Sequence, residues 1–446
     1  MSHHLAISEA LLQKLDVPGP RYTSYPTVPV WSEAFGAADH ARALERVSDP
    51  LSIYVHLPFC TSLCSYCGCN VVITRDWGRV DRYLTALHHE IELVGKHLGS
   101  KRRVTRVHLG GGTPTFLDEP RLAALWQALM TRFVVADDAE VAIEVNPTGT
   151  RPSQLQLLAS LGFNRLSMGV QDFNPAVQDA IQRWQTVEET RATMDTARAV
   201  GFRSVNFDLI YGLPRQTLES FRHTAEQVVA MRPERVAIFS FAYVPSVKPA
   251  QKRLPMAEAP SPMEKLNLFR TARQVLIEAG YRPIGLDHFA LPDDELARAA
   301  EQKGLGRDFQ GYTVDRAPQT VSFGATSISN LGDCYVQNFK SLGDYEAAIA
   351  ADRLPAERGI WLTDDDQRRR DIITQIMCNL SVVLDEPERY ATELSALEPL
   401  IADGLVVRDG AKLQITPLGQ LFVRNVAMVF DRHLQTNSAR PFSRAV

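Results

Sequence analysis

The residues richest in chemistry are four of the six cysteines, gathered in Cys60-Thr61-Ser62-Leu63-Cys64-Ser65-Tyr66-Cys67-Gly68-Cys69 of a 446-residue chain. Three thiolates spaced by four and then three residues can wrap one cubane iron–sulfur cluster, whose soft irons prefer sulfur ligands. If Cys60, Cys64 and Cys67 each take one iron, the fourth iron has no loop ligand and is open to a small molecule. A fourth thiolate would close that iron. Cys69 is therefore expected beside the cluster, needed for activity but not for assembly. A structural zinc site calls for paired Cys-x-x-Cys or Cys/His halves, and only Cys64 and Cys67 stand at that spacing. A disulfide framework belongs to small, secreted, cysteine-rich domains. Cys334 and Cys378 stand alone and read as core thiols.

The elements that must hold this loop recur along the chain. Short apolar runs at 51–57, 104–109, 141–145, 165–170, 204–210 and 236–242 alternate with amphipathic stretches such as 80–98 and 188–200. Strands alternating with helices predict a parallel sheet of βαβ units. Six such units make an α/β fold, a partial (β/α)6 barrel. The chemically interesting residues fall at the carboxyl ends of these runs. The cysteine loop follows the first and Gly110-Gly111-Gly112-Thr113-Pro114 follows the second. Glu144 ends the third, Gln171 follows the fourth, Asp208 nears the end of the fifth and Ala242 ends the sixth. Loops converge on that rim in α/β barrels. The glycines let the backbone come close to a ligand. Glu144 and Asp208 sit on apolar strands, where a carboxylate is costly unless it meets a cation or hydroxyls. Arg183 can grip a carboxylate through paired hydrogen bonds.

Four regions are expected. Residues 1–50 read as a polar, proline-spotted arm with a short helix near 37–47. Residues 51–245 are the barrel core, 246–355 a barrel extension and connecting region, and 356–446 a mainly helical C-terminal domain. Within the last, a hairpin turning at Asp409-Gly410 lies between helical stretches. That order could make a winged-helix DNA reader, but the segment has slightly more acids than bases, and phosphates need a basic face. The net charge of -4 gives no pull toward nucleic acid or anionic membrane. The chain has no apolar run of membrane-spanning length and no secretory signal at Met1-Ser2-His3-His4. Cysteine usage suits a reducing cytoplasm.

The cysteine spacing resembles the signature of the radical S-adenosylmethionine (SAM) enzymes. Nearly the whole chain is similar to one family among them, the oxygen-independent coproporphyrinogen III oxidases. The resemblance rests on Arg21-Tyr22-Thr23-Ser24-Tyr25-Pro26-Thr27, Tyr54-Val55-His56-Leu57-Pro58-Phe59-Cys60, Cys67-Gly68-Cys69-Asn70 and the segment 108–115. Asp208-Leu209-Ile210-Tyr211-Gly212-Leu213-Pro214, Asp287-His288-Phe289-Ala290, Asp308-Phe309-Gln310-Gly311-Tyr312-Thr313, Gly332-Asp333-Cys334-Tyr335 and Phe442-Ser443-Arg444 extend it. The Cys-x-Cys extension and the arm separate it from the related heme-trafficking branch. Two departures are Tyr66, where Phe is common, and Trp184 after Arg183, where a smaller or polar residue is usual.

The resemblance implies a [4Fe-4S] cluster on Cys60, Cys64 and Cys67 and two SAM molecules. The SAM on the cluster would meet Tyr54, Gly111, Glu144 and Ile328. The second would meet Tyr66, Gly112, Thr113, Gln171, Arg183, Asp208 and Ala242. Cleavage of the first SAM yields a 5′-deoxyadenosyl radical. It takes hydrogen from the β-carbon of propionates of coproporphyrinogen III, which then lose an electron and carbon dioxide to give the vinyl groups of protoporphyrinogen IX. Cys69, Tyr54 and Arg21 are the implied catalytic residues, with Arg21 and the arm's tyrosines gripping propionates. A monomer fed by a reductant protein such as flavodoxin or ferredoxin is expected. The alternatives are another radical SAM reaction, such as methyl transfer, and a heme-binding or heme-trafficking protein without turnover.

Overall fold

A computed structural model describes residues 7–314, 317–434, 442 and 444. The opening residues 1–6 and Ser443 of the terminal match lie outside the described residues. One sheet of twelve strands organises the molecule. In chain order its strands are β1 Leu51–Leu57, β2 Arg102–Gly111, β3 Phe133–Val145, β4 Arg165–Gln171, β5 Ser204–Tyr211, β6 Arg235–Ser240, β7 Arg282–Ile284, β8 His288–Ala290, β9 Gln319–Phe323, β10 Ile328–Asn330, β11 Cys334–Asn338 and β12 Ala356–Trp361. Their spatial order is β12-β11-β10-β9-β1-β2-β3-β4-β5-β6-β8-β7. Strands β9 and β1 to β6 pair in parallel, and the pairs outside them are antiparallel.

The six anticipated runs are the six consecutive parallel strands. Two details differ. The sixth strand stops at Ser240, so Ala242 lies just beyond it. Within 246–355, where only a barrel extension and connecting region is expected, β9 and β10 pair antiparallel and carry the sheet past β1. Helix α3 Trp77–Leu98 and a helix at Val187–Ala199 cover the parallel strands as their periodicity predicts. Thr186 and Glu189 start the latter helix by capping each other's backbone amides.

The arm is less independent than its composition suggests. Besides the expected helix α2 Ala37–Leu44, it carries α1 Glu9–Leu15. Leu12, Leu15, Tyr22 and Tyr25 are buried in a second apolar cluster with Ile376, Leu397 and Phe430. Arg424 donates through Nε to the Pro20 carbonyl at 3.0 Å and also to the carbonyl of Gly19. Asn425 donates to the Leu15 carbonyl at 2.8 Å. The arm therefore belongs to the same packed body as the C-terminal helices.

Inside the barrel, toward the amino ends of the strands, Arg106, Arg165 and Arg235 share Glu140. Asp308 pairs with Arg106, Asp294 with Arg235 at 2.9 Å, and Glu295 with Arg165. Three buried guanidiniums are tolerable because four carboxylates meet them.

A separate buried carboxylate ties α3 to the strands beyond β1. Glu90 accepts from the Gly324 amide at 2.7 Å, Asn338 Nδ2 at 2.6 Å and the Tyr345 hydroxyl at 2.7 Å. Burial pushes it up to about 7 despite these three donors. The native state then keeps a proton that the unfolded chain releases near 4.5, so stability is greatest below that value. It falls as pH rises toward 7, by on the order of 3 kcal/mol. Urea denaturation at several pH values should show a smaller decline over this interval in Glu90→Gln. Glu90→Leu strands three donors and should lose about 3 kcal/mol even at pH 5. An undiminished slope in Glu90→Gln would contradict the assignment.

Candidate active site

Parallel strands deliver their following loops to one end, and a cavity of about 440 Å³ lies there. Cys60, Cys64, Cys67 and Cys69 all line it, as do Tyr66, Gly111, Gly112 and Thr113. Glu144, Gln171, Arg183, Asp208, Ala242 and, from the arm, Arg21 complete the sequence-expected residues on its wall. Tyr54 and Ile328 are absent from that lining. Tyr54 stacks on His108 just behind Glu144. Ile328 packs instead against the Trp31, Tyr335 and Leu362 cluster.

The cysteine loop leaves β1 through a short strand, Phe59–Cys60, that pairs with Val72–Ile73. All four thiols are free. Cys60 Sγ lies 3.5 Å from Thr113 Oγ1, and burial raises its thiol to about 11. The Cys69 thiol donates to Cys67, which lowers Cys67 to about 6 and raises Cys69 itself. A thiol that ionises readily suits a metal ligand. Among the described residues no three His, Cys, Asp or Glu side chains converge on a single metal ion. A cubane, which takes one thiolate per iron, needs its ligands spread apart.

The glycine segment serves the protein's own packing. A Cβ at Gly110 would stand 2.7 Å from Glu144 Oε1, and Gly111 has φ +115°. The Gly111 amide donates to Glu144 Oε2 at 3.1 Å, while His108 Nε2 lies 2.9 Å from Oε1. Burial pushes Glu144 up, but His108 and the Gly111 amide outweigh it and hold the carboxyl below its usual range. Among the described residues no cation pairs with Asp208. Burial drives it to about 6 against hydrogen bonds from Asn206 and Ser167.

Gln171 ends β4 at a register shift with φ +65°, a conformation rare for a side-chain-bearing residue. The next residue anchors it. Asp172 is buried and accepts from the Asn174 amide at 2.8 Å, Thr224 Oγ1 at 2.8 Å and Gln216 Nε2 at 2.7 Å. Trp184 points outward, 62% exposed and donating to Asp179, so its bulk does not move Arg183 from the cavity.

Several residues here had a motif but no assigned role, or no sequence signal at all. His56 Nε2 faces the Asn70 carbonyl at 3.0 Å, so that nitrogen carries the proton. Its Nδ1 then accepts from the Tyr54 hydroxyl at 3.0 Å. This chain ties β1 to the residue after Cys69. The alternation Tyr54, His56 in β1 is the signal that both side chains face inward. Lys248 lies just before, and Gln251 within, the short 3-10 helix Pro249–Arg253, which has no such periodicity. Gln251 Nε2 donates to the carbonyls of Tyr66 and Ala242, both at 3.1 Å, and Lys248 Nζ to the Cys69 carbonyl at 2.9 Å.

Comparison with known proteins agrees with this geometry. The Radical SAM superfamily profile matches residues 54–228. An oxygen-independent coproporphyrinogen III oxidase of Pseudomonas aeruginosa is 43% identical, with 98% of each chain covered. That of Escherichia coli is 42% identical, again over 98% of each. The solved structure of the Escherichia coli coproporphyrinogen III oxidase, described as a radical SAM enzyme, superposes with a TM-score of 0.91 at 41% identity, covering 96% of this chain and 99% of that one. The chain therefore belongs to the oxygen-independent coproporphyrinogen III oxidase family of the radical SAM superfamily.

Proposed function

We propose that this protein converts coproporphyrinogen III to protoporphyrinogen IX without oxygen, in heme biosynthesis. The observation that carries the reading is the convergence of four thiols, Glu144, Asp208, Arg183 and Arg21 on one cavity. The residues present fit the cofactors of the family. Three separated thiols, one of them lowered by its neighbour, suit a [4Fe-4S] cluster on Cys60, Cys64 and Cys67. Carboxylates and a guanidinium suit the hydroxyls, amine and carboxylate of SAM. When bound and reduced, cluster and SAM supply the 5′-deoxyadenosyl radical that removes a propionate β-hydrogen.

The chain's own residues position and enclose. Glu144 is held ionised by His108 and Gly111, ready to accept from hydroxyls of the SAM on the cluster. The Tyr54 hydroxyl donates its hydrogen bond to His56 Nδ1, which leaves the oxygen lone pairs free to accept. Tyr66, Thr113, Gln171, Asp208, Arg183 and Ala242 would hold a second SAM, with Gln251 clamping the backbones of Tyr66 and Ala242 together. Cys69 would stand beside the cluster without ligating it, its thiol raised by the hydrogen bond it gives Cys67. Arg21 donates through Nη2 to the Ser240 carbonyl at 2.6 Å and faces the cavity, where it can meet a propionate. The electron comes from a flavodoxin- or ferredoxin-like donor to a cytoplasmic monomer. No helix among the described residues is long and apolar enough to cross a membrane. A heme-trafficking reading is disfavoured by Cys69 and the arm, which match the oxidases.

Anaerobic incubation with coproporphyrinogen III, SAM and a reductant should yield a product with two vinyl groups. Heme retention with no vinyl product would instead mark a carrier. Serine at Cys60, Cys64 or Cys67 should remove most iron and the visible charge-transfer absorbance. Cys69→Ser should keep the cluster and lose turnover, and cluster loss equal to that of Cys64→Ser would contradict its role. Deleting the arm would remove two of Arg424's acceptors, the Gly19 and Pro20 carbonyls, so Arg21→Met is the cleaner test of substrate binding. It should keep iron and SAM binding while kcat/KM for the porphyrinogen falls by about 10–100-fold, the loss of a charge-assisted hydrogen bond. Unchanged kcat/KM would reduce Arg21 to a packing role.

A further inference from the structure

A half-buried cation with no carboxylate partner among the described residues stands against the cysteine loop. Arg183 Nη2 donates to the Gly169 carbonyl at 2.7 Å and to Asn146 Oδ1 at 3.2 Å, and Nε donates to Gln185 Oε1 at 3.1 Å. Nη1 donates to Cys64 Sγ at 3.9 Å. The three oxygen acceptors are neutral, and they fix the guanidinium whether or not the cavity is filled. Among the described residues the acidic groups that face it include the Tyr66 hydroxyl and the thiols of Cys60, Cys64 and Cys67, and no carboxylate pairs with it. The contrast with the barrel floor is plain, since each guanidinium there meets two or more carboxylates. A half-buried charge without a counter-ion is still costly, and the loop, or what the loop holds, is where its counter-charge can come from. A second cation reaches the same loop. Lys248 Nζ donates to the Cys69 carbonyl at 2.9 Å, and its charge acts on Cys67 and Cys69.

We propose that Arg183 and Lys248 set the reduction potential of the cluster held by Cys60, Cys64 and Cys67. This rests on the cluster reading above. One-electron reduction adds negative charge to a centre already bound by thiolates. A hydrogen bond to a ligand sulfur and a nearby positive charge both favour the reduced form and raise the potential. Arg183 acts through the Cys64 sulfur, and Lys248 by its charge from the Cys69 carbonyl, two residues past Cys67. This role is separate from any grip of Arg183 on a SAM carboxylate, because it operates with no SAM present.

The test is an EPR-monitored redox titration of the full-length protein, reconstituted anaerobically and free of SAM, at matched iron content and charge-transfer absorbance. Arg183→Gln should lower the equilibrium constant for reduction about tenfold, a fall of about 59 mV for one electron. Arg183→Lys, which keeps the charge, should lose less. Lys248→Gln should shift the potential in the same direction by a smaller amount, and Lys248→Arg should leave it in place. A loaded Arg183→Gln cluster with unmoved potential overturns the proposal. If Arg183→Gln does not assemble a cluster, Lys248→Gln decides, and an unmoved potential there overturns it equally. Absence of any cluster from the unsubstituted protein would instead overturn the cluster reading itself, a result the iron content shows before the titration begins.

Discussion

Parallel pairing of six consecutive strands is the constraint on which the site depends. Each strand must start at the same end, so the loop after each strand arrives at the opposite rim. The cysteine loop, the glycine segment, Glu144, Gln171, Asp208 and Ala242 are far apart in the chain yet share one cavity for this reason. Register makes the fit finer. Glu144 lies opposite Ser167, and Gly169 opposite Asp208, so small and polar groups alternate around the interior.

The two ends of the barrel solve the charge problem in opposite ways. Toward the amino ends, Arg106, Arg165 and Arg235 are matched by Glu140, Asp294, Glu295 and Asp308, an arrangement satisfied without any ligand. At the carboxyl rim the matching is incomplete. Among the described residues no cation pairs with Asp208, which is pushed up to about 6, and no carboxylate pairs with Arg183. Such unbalanced groups raise the free energy of the empty site and lower that of the filled one. That is the expected signature of a place where cofactors supply the missing charges. The arm adds Arg21 to the same cavity while its neighbour Tyr22 bonds Asp431 at 3.1 Å, linking the substrate side to the C-terminal helices.

Much of this was legible in the sequence because it depends on spacing and period. Cysteines at 60, 64 and 67 and six apolar runs ending in polar residues report local rules that tertiary structure did not override. What escaped depended on contacts between distant segments. The strand at 328–330 was hidden because its antiparallel partners lie outside the βαβ repeat, and with it Ile328 went to the Trp31 cluster rather than the cavity lining. The arm reads as extended and polar, yet Arg424, some four hundred residues later, binds its carbonyls. Gln251 and Lys248 sit in and just before a 3-10 helix too short to show a period, and only the folded chain shows that they grip the backbone of the cysteine segment.

The central claim is that three thiolates, with Cys69 kept aside, leave one iron of the cubane for SAM. Mössbauer spectroscopy of the iron-57-loaded protein, with and without SAM, addresses it directly. On addition of SAM, one iron in four should take on a distinct, more highly coordinated signal while the other three keep theirs. Four irons that stay equivalent in saturating SAM would contradict the account.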